Sequence, residues 1–236
     1  MGNQMKGLLY YFTTQAKRSL YIFWSILGIS LLASFIISVV SLQSSDETTF
    51  FFMLSFAVYV FSAFYGFISI RYELPFSIKM GATRKHFWFS RFIFFIGLTI
   101  CQIIIVQLVT GISKIFREMF NLEPQAFQLA HPALLLDNTF FQQIVIDATL
   151  IFSILVISQL LGMFYYKYGL IGIASLAAVV LVFLLFAFAK GWSFEAFIYL
   201  QEHFSLTIFA YISLVGILCY LLSWLLIRRA TTEATR

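Results

Sequence analysis

Residues 168–189, YGLIGIASLAAVVLVFLLFAFA, form a run of 22 residues without a single charge. As an α-helix the run is about 33 Å long, enough to cross a hydrocarbon core of roughly 30 Å. Four further blocks read the same way, at residues 20–42, 50–70, 92–113 and 204–227. A sixth, 144–164, is interrupted only by Asp147 near its start. Barrel strands are about 10 residues long with alternating polarity, whereas these blocks are twice as long and uniformly apolar. The expected fold is therefore all-α and polytopic: one transmembrane domain over residues 1–236 with six transmembrane helices.

Composition agrees with that reading. Of 236 residues, 61% are hydrophobic and 11% charged, against about a quarter charged in soluble domains. With the N-terminus inside, the inner segments hold 12 Lys and Arg residues and the outer segments 3, namely Lys114, Arg117 and Lys190. Asp46, Glu47, Glu118, Glu123, Asp137, Glu195 and Glu202 fall outside. This bias predicts cytoplasmic termini. The net charge of +5 follows from that sorting rather than from a nucleic-acid-binding stripe, because the cations are scattered over short inner segments.

Cys101 and Cys219 lie within predicted spans and read as small core residues. The first apolar block starts 19 residues in and is too long for a cleaved signal. Lys6 occupies the position where myristoylation wants Ser or Thr.

Ahead of the first span, residues 4–18 place Met5, Leu8, Leu9 and Phe12 at helical spacing among polar side chains, which predicts an amphipathic helix on the inner membrane lipid surface. The short acidic loop 43–49 closes spans one and two into a hairpin. Residues 114–143, the longest outer piece, are apolar enough to predict a helix or two resting on the bundle or the outer surface. Only residues 165–168 join spans four and five, which predicts an antiparallel pair, and 190–203 reads as a short interfacial helix. Ser30, Ser34 and Ser38 on the first span, and Ala174 and Ala178 on the fifth, recur every four residues. Such stripes suit close helix packing, either within the bundle or at a dimer seam.

Polar residues that carry chemistry are sparse. His86, His131 and His203 fall on different connections, which speaks against a zinc site. The sequence holds neither a metalloprotease or hydrolase motif nor a phosphate-binding loop. Asp147 suits an interfacial position within a turn of the outer boundary, or a site for a proton or coupling cation. Gln102, Gln107 and Gln159 suit interhelical hydrogen bonds or the lining of a path.

The inner loop 71–91, RYELPFSIKMGATRKHFWFSR, has a shape of its own. Pro75 fits the first position of a helix, Gly81 a helix C-terminus and Thr83 the cap of the next helix. These signals predict a short helix of residues 75–80 and a sharp turn. Phe76 and Met80 then share a face rimmed by Lys79, Arg84, Lys85 and Arg91. An apolar knob ringed by cations fits a groove in a partner protein; it also fits a surface anchor with Phe87, Trp88 and Phe89 at the headgroups.

The motif Glu73-x-Pro75-x-x-x-x-x-Gly81-x-Thr83-Arg84-Lys85-x-Phe87, six spans and an amphipathic N-terminus resemble the small bacterial ABC-2-type permeases, the membrane subunits of ABC transporters. The resemblance in layout covers nearly the whole chain; the stretch 191–203 is short for that family's re-entrant helices. It implies that Glu73, Pro75, Phe76, Lys79, Gly81, Thr83, Arg84 and Lys85 form a coupling element against a cytoplasmic ABC ATPase subunit. ATP and Mg would then be bound by that partner, and no cofactor by this chain. It further implies a second permease subunit, identical or related, a place in the bacterial cell membrane, and export of an amphipathic or hydrophobic compound such as an antimicrobial peptide or drug. The rival expectation is a membrane sensor or immunity protein that binds its target through residues 114–143.

Overall fold

The computed structural model describes residues 2–43, 50–120, 127–136, 138–202 and 204–228. The expected loop 43–49 beyond Gln43, Asp46, Glu47, Glu123 and Asp137 expected outside, Arg229 and Arg236 expected inside, and His203 lie outside the described residues.

Over the described residues the chain is all-α apart from two three-residue strands. In order it forms α1 (Asn3–Gln43), β1 (Phe50–Phe52), α2 (Leu54–Lys79), α3 (Arg84–Met119), β2 (Phe127–Leu129), a 3-10 turn (Pro132–Leu135), α4 (Phe140–Ala189), α5 (Trp192–Glu202) and α6 (Leu206–Arg228). Five of these, α1, α2, α3, α4 and α6, are long and apolar enough to cross a membrane.

The difference from the expected six lies in α4. Its 50 residues would extend roughly 75 Å, more than twice a hydrocarbon core. The backbone leaves helical geometry at Gly169, with φ 66° and ψ −162°. That is a region only glycine enters freely, so Gly169 divides the element at the place where the sequence separates two blocks.

Residues 144–164 and 168–189 are not packed tightly together as expected. From Lys167 to Ala189 no side chain is buried, whereas 144–164 packs against α2 and α6. The Gly172 backbone sits against the Tyr168 side chain. The remainder of α4, up to Ala189, takes no part in the core.

Two other expected boundaries are absent. The interfacial segment 4–18 and span 20–42 are one uninterrupted helix, α1, which runs through Ser19 without a break. The separate helix 75–80 is the end of α2, which passes straight through Pro75. Proline removes one backbone donor, but Glu73, Leu74 and Ser77 on either side are 3%, 0% and 1% exposed. That burial holds the last turns in helical register, so tertiary packing outweighs the local signal.

The core joins Phe12 of α1, Val58 and Ile70 of α2, Phe95 of α3, Leu155 of α4 and Tyr220 of α6. Its closest approaches rest on glycine. A Cβ on Gly66 would meet the Leu155 carbonyl oxygen at 2.6 Å, and one on Gly162 would meet the Phe67 carbonyl oxygen. One on Gly216 of α6 would fall 2.6 Å from Ser153 Oγ. These are the small-residue contacts that let helix backbones touch.

The serine and alanine stripes are placed differently from one another. Ser30 and Ser34 hydrogen-bond carbonyls of their own helix, Leu27 and Ser30, at 2.9 Å each. Ser38 is buried, and Ala174 and Ala178 are exposed. Cys101, expected in the core, is exposed as well.

In the stretch 114–143, α3 runs on to Met119 and a parallel pair replaces the expected helices, with Phe50 opposite Phe127 and Phe52 opposite Leu129. Phe35 of α1 meets Phe127 edge-on at 5.7 Å, so the little sheet is clamped by aromatic packing. The 3-10 turn comes next, and its Ala133 is fully buried with Ile146 and Phe209.

Candidate functional site: the elbow between the second and third helices

The turn from α2 into α3 is built from local chemistry. Gly81 sits at φ 83°; its N–H donates to the Ile78 carbonyl at 2.9 Å, and the Ala82 N–H donates to Ser77 at 3.0 Å. This is the six-to-one, five-to-two pattern that closes a helix C-terminus around a left-handed residue. Two residues on, the Thr83 hydroxyl accepts from the His86 N–H at 3.2 Å and caps α3. The two helices are thus joined by a rigid elbow.

Outside the elbow, Phe76 is 44% and Met80 73% exposed, with Lys79, Gly81, Thr83 and Lys85 exposed around them. Tyr11 of α1 stacks on Phe76 with ring centroids 4.5 Å apart. Gln4 Oε1 lies 2.7 Å from His86 Nδ1. Arg84 departs from the expected rim: its Nη1 donates to the Arg228 carbonyl at 2.8 Å, tying the elbow to the last turn of α6.

The anchor expected from Phe87 and Trp88 is also turned inward. Phe87 is fully buried against Phe12. Trp88 stacks on Tyr220 at 5.1 Å and donates to Ser223 Oγ at 3.1 Å.

Inside the elbow lies the least expected feature. Arg91 has no exposed side-chain surface, and Glu73, which the motif placed on a partner contact, is 4% exposed. The Arg91 guanidinium donates to the Glu73 carboxylate, to Ser69 Oγ, and through Nε to Gln159 Oε1 at 3.1 Å. Tyr65 donates to the other carboxylate oxygen at 3.4 Å. Aromatic rings complete the shell: Phe95, Phe12, Phe94 and Tyr65 centroids lie 4.6, 5.3, 5.6 and 5.9 Å from the guanidinium carbon. A buried ion pair survives only when its remaining donors and acceptors are met, and the planar fork of arginine lets one cation meet three partners. The pair locks α2, α3 and α4 together directly behind the elbow.

Two of the polar candidates, Gln102 and Gln159, are fully buried. Gln159 holds Arg91, while neither amide atom of Gln102 has a partner. Gln107 is half-buried. Arg91 was legible only as one more inner cation; a signal was available in its spacing, because Phe87, Arg91, Phe95 and Leu98 mark a single helix face that is otherwise apolar.

A second polar centre sits at the other end of α2. Tyr59, 14 residues before Glu73 in the same helix, lies about 21 Å along its axis from that residue. Its hydroxyl donates to Asp147 Oδ1 at 2.6 Å, and His131 Nε2 approaches the same oxygen at 3.1 Å. Asp147 is fully buried within the protein rather than open to water as expected of an interfacial residue. The reason is that residues 127–136 fold over the start of α4 and shut it away from solvent.

Among the described residues no three His, Cys, Asp or Glu side chains converge as a metal site would require. A groove of about 440 Å³ between α1 and α2, bordered by Tyr11, Phe61, Phe64, Tyr65, Ser69 and Glu73, opens onto the buried ion pair. No protein-family model matches the chain, and no curated protein or solved structure matches it.

Proposed function

We propose that the chain is a membrane permease subunit that couples to a separate cytoplasmic ATPase through the α2–α3 elbow. One observation carries the reading: Phe76, Met80, Lys79 and Lys85 stand exposed around Gly81, while the same turns of helix are fixed from inside by Glu73 and Arg91. A soft surface loop would absorb a push from a partner, whereas an elbow wired to three helices transmits it. Transmission requires an element with two discrete arrangements, and the hinge at Gly169 and the loosely held α1 are where such a rearrangement meets the least packing.

In this reading the divided α4 makes two crossings, giving six in all, and the elbow faces the cytoplasm with both termini. The cationic rim suits an acidic cleft on the ATPase, with Phe76 and Met80 as the apolar anchor. ATP and its Mg belong to that partner, a second permease copy or relative completes the transporter, and the cargo is an amphipathic or hydrophobic compound moved outward.

The experiment is co-purification of the full chain, in detergent, with an ABC ATPase subunit from the same cells. The wild-type chain retains the ATPase, while Met80→Asp and Phe76→Ala lose it without loss of the chain's own folded state. If no ATPase is retained, or if both variants hold it as well as wild type, the proposal fails.

A further inference from the structure

We infer that His131, Asp147 and Tyr59 form a proton-binding site whose occupancy controls the 3-10 turn Pro132–Leu135. The inference is independent of any ATPase partner. It begins with the two ring nitrogens of His131. The backbone N–H of Ala133 donates to Nδ1 at 2.9 Å, so Nδ1 carries a lone pair. Nε2 therefore bears the hydrogen and donates it to Asp147 Oδ1 at 3.1 Å. The ring is neutral, and both of its nitrogens are committed.

Asp147 is the other half of the site. Its Oδ1 receives two donors, Tyr59 and His131, while Oδ2 is buried without a hydrogen-bond partner. An unpartnered carboxylate oxygen in the interior attracts a proton or a donor that can reach it. Access comes through His131, whose side chain is 10% exposed while that of Asp147 is 1% exposed.

Among the described residues the surroundings contain little else that titrates. From α2 comes Tyr59 and from α4 Asp147. The 3-10 turn and both strands bring no charged residue. Arg117 of α3 donates to the Phe127 carbonyl at 3.5 Å. The only charged residue of α6 is Arg228, at its far end.

A proton arriving at His131 has one place to go, Nδ1. There it meets the Ala133 N–H, two donors face each other, and the cap of the turn is lost. The imidazolium keeps its Nε2–H on Asp147 and gains a full ion pair with it. The site thus exchanges a hydrogen bond that holds the turn for a charge pair that holds the ring. Because Ala133 packs with Ile146 and Phe209, release of the turn opens the cover over the start of α4.

The test is backbone hydrogen exchange of the purified full chain in detergent between pH 8 and 5. Protection is corrected for the intrinsic pH dependence of exchange. Protection of Ala133 to Leu136 should fall roughly five- to tenfold on acidification, the scale of one lost cap. In His131→Asn the carboxamide oxygen can still cap the turn and does not titrate, so protection should stay high and flat. Ring ¹⁵N NMR of the wild-type chain supplies a second readout that needs no variant. His131 should be the Nε2–H tautomer at pH 8 and doubly protonated at pH 5, with the midpoint of the exchange step. An Nδ1–H tautomer, a flat wild-type profile, or a step that persists in His131→Asn would each overturn the inference.

Discussion

Removing the charge of Glu73 while keeping its shape tests the buried ion pair most sharply. In Glu73→Gln the Arg91 guanidinium keeps Ser69, Gln159 and its aromatic shell but loses the counter-charge of Glu73, a destabilisation of about 3–5 kcal/mol for a buried pair. Arg91→Met leaves the opposite orphan, and the two are not equivalent. A carboxyl with an ordinary pKa of about 4.3 can be held protonated for roughly 3.7 kcal/mol at pH 7 and about 1 kcal/mol at pH 5. Arginine keeps its proton throughout this range. Arg91→Met should therefore regain up to about 2.7 kcal/mol as the pH falls from 7 to 5, while Glu73→Gln regains nothing. The double variant lacks both charges and loses only packing and the contacts to Ser69 and Gln159, about 1–2 kcal/mol.

The assay is reversible unfolding in mixed micelles followed by tryptophan fluorescence. Comparing the two single variants with the double should return a coupling above about 2 kcal/mol. Single effects that simply add, with coupling below about 0.5 kcal/mol, or equal damage by Arg91→Met at both pH values, would refute the reasoning.

The α2–α4 crossing makes an equally direct prediction. Gly66→Ala and Gly162→Ala each place a methyl against a facing carbonyl oxygen and should cost about 1–3 kcal/mol in the same unfolding assay. Gly97→Ala, with open space around it, should cost nothing or stabilise slightly. At the elbow, Gly81→Val forces a β-branched residue to φ 83°. It should lose about 1–3 kcal/mol, whereas Gly81→Asn recovers most of that because asparagine tolerates the left-handed region; equal losses would mean that the turn relaxes.

Hydropathy alone was enough to read this chain as helical and membrane-compatible, because crossing a bilayer demands long stretches that satisfy their own backbone and carry no charge. The elbow was legible for a similar reason. Gly81 and Thr83 act on atoms within five residues of themselves, and the cap and the turn are where their chemistry requires. Pro75 shows the limit of such signals, since its local preference to start a helix yields to the burial of Glu73, Leu74 and Ser77.

The partners of the buried polar groups belong to the tertiary structure alone. Glu73 finds Arg91 across a turn, Gln159 reaches that arginine from another helix, and Tyr59 meets Asp147 across 88 residues of sequence. Asp147 near an apolar block reads equally as interfacial or as buried until residues 127–136 fold over it. The sequence sets which segments leave water. Which charges leave water with them depends on which helices touch, and here those contacts rest on Gly66, Gly162 and Gly216, whose missing side chains leave no periodicity to read.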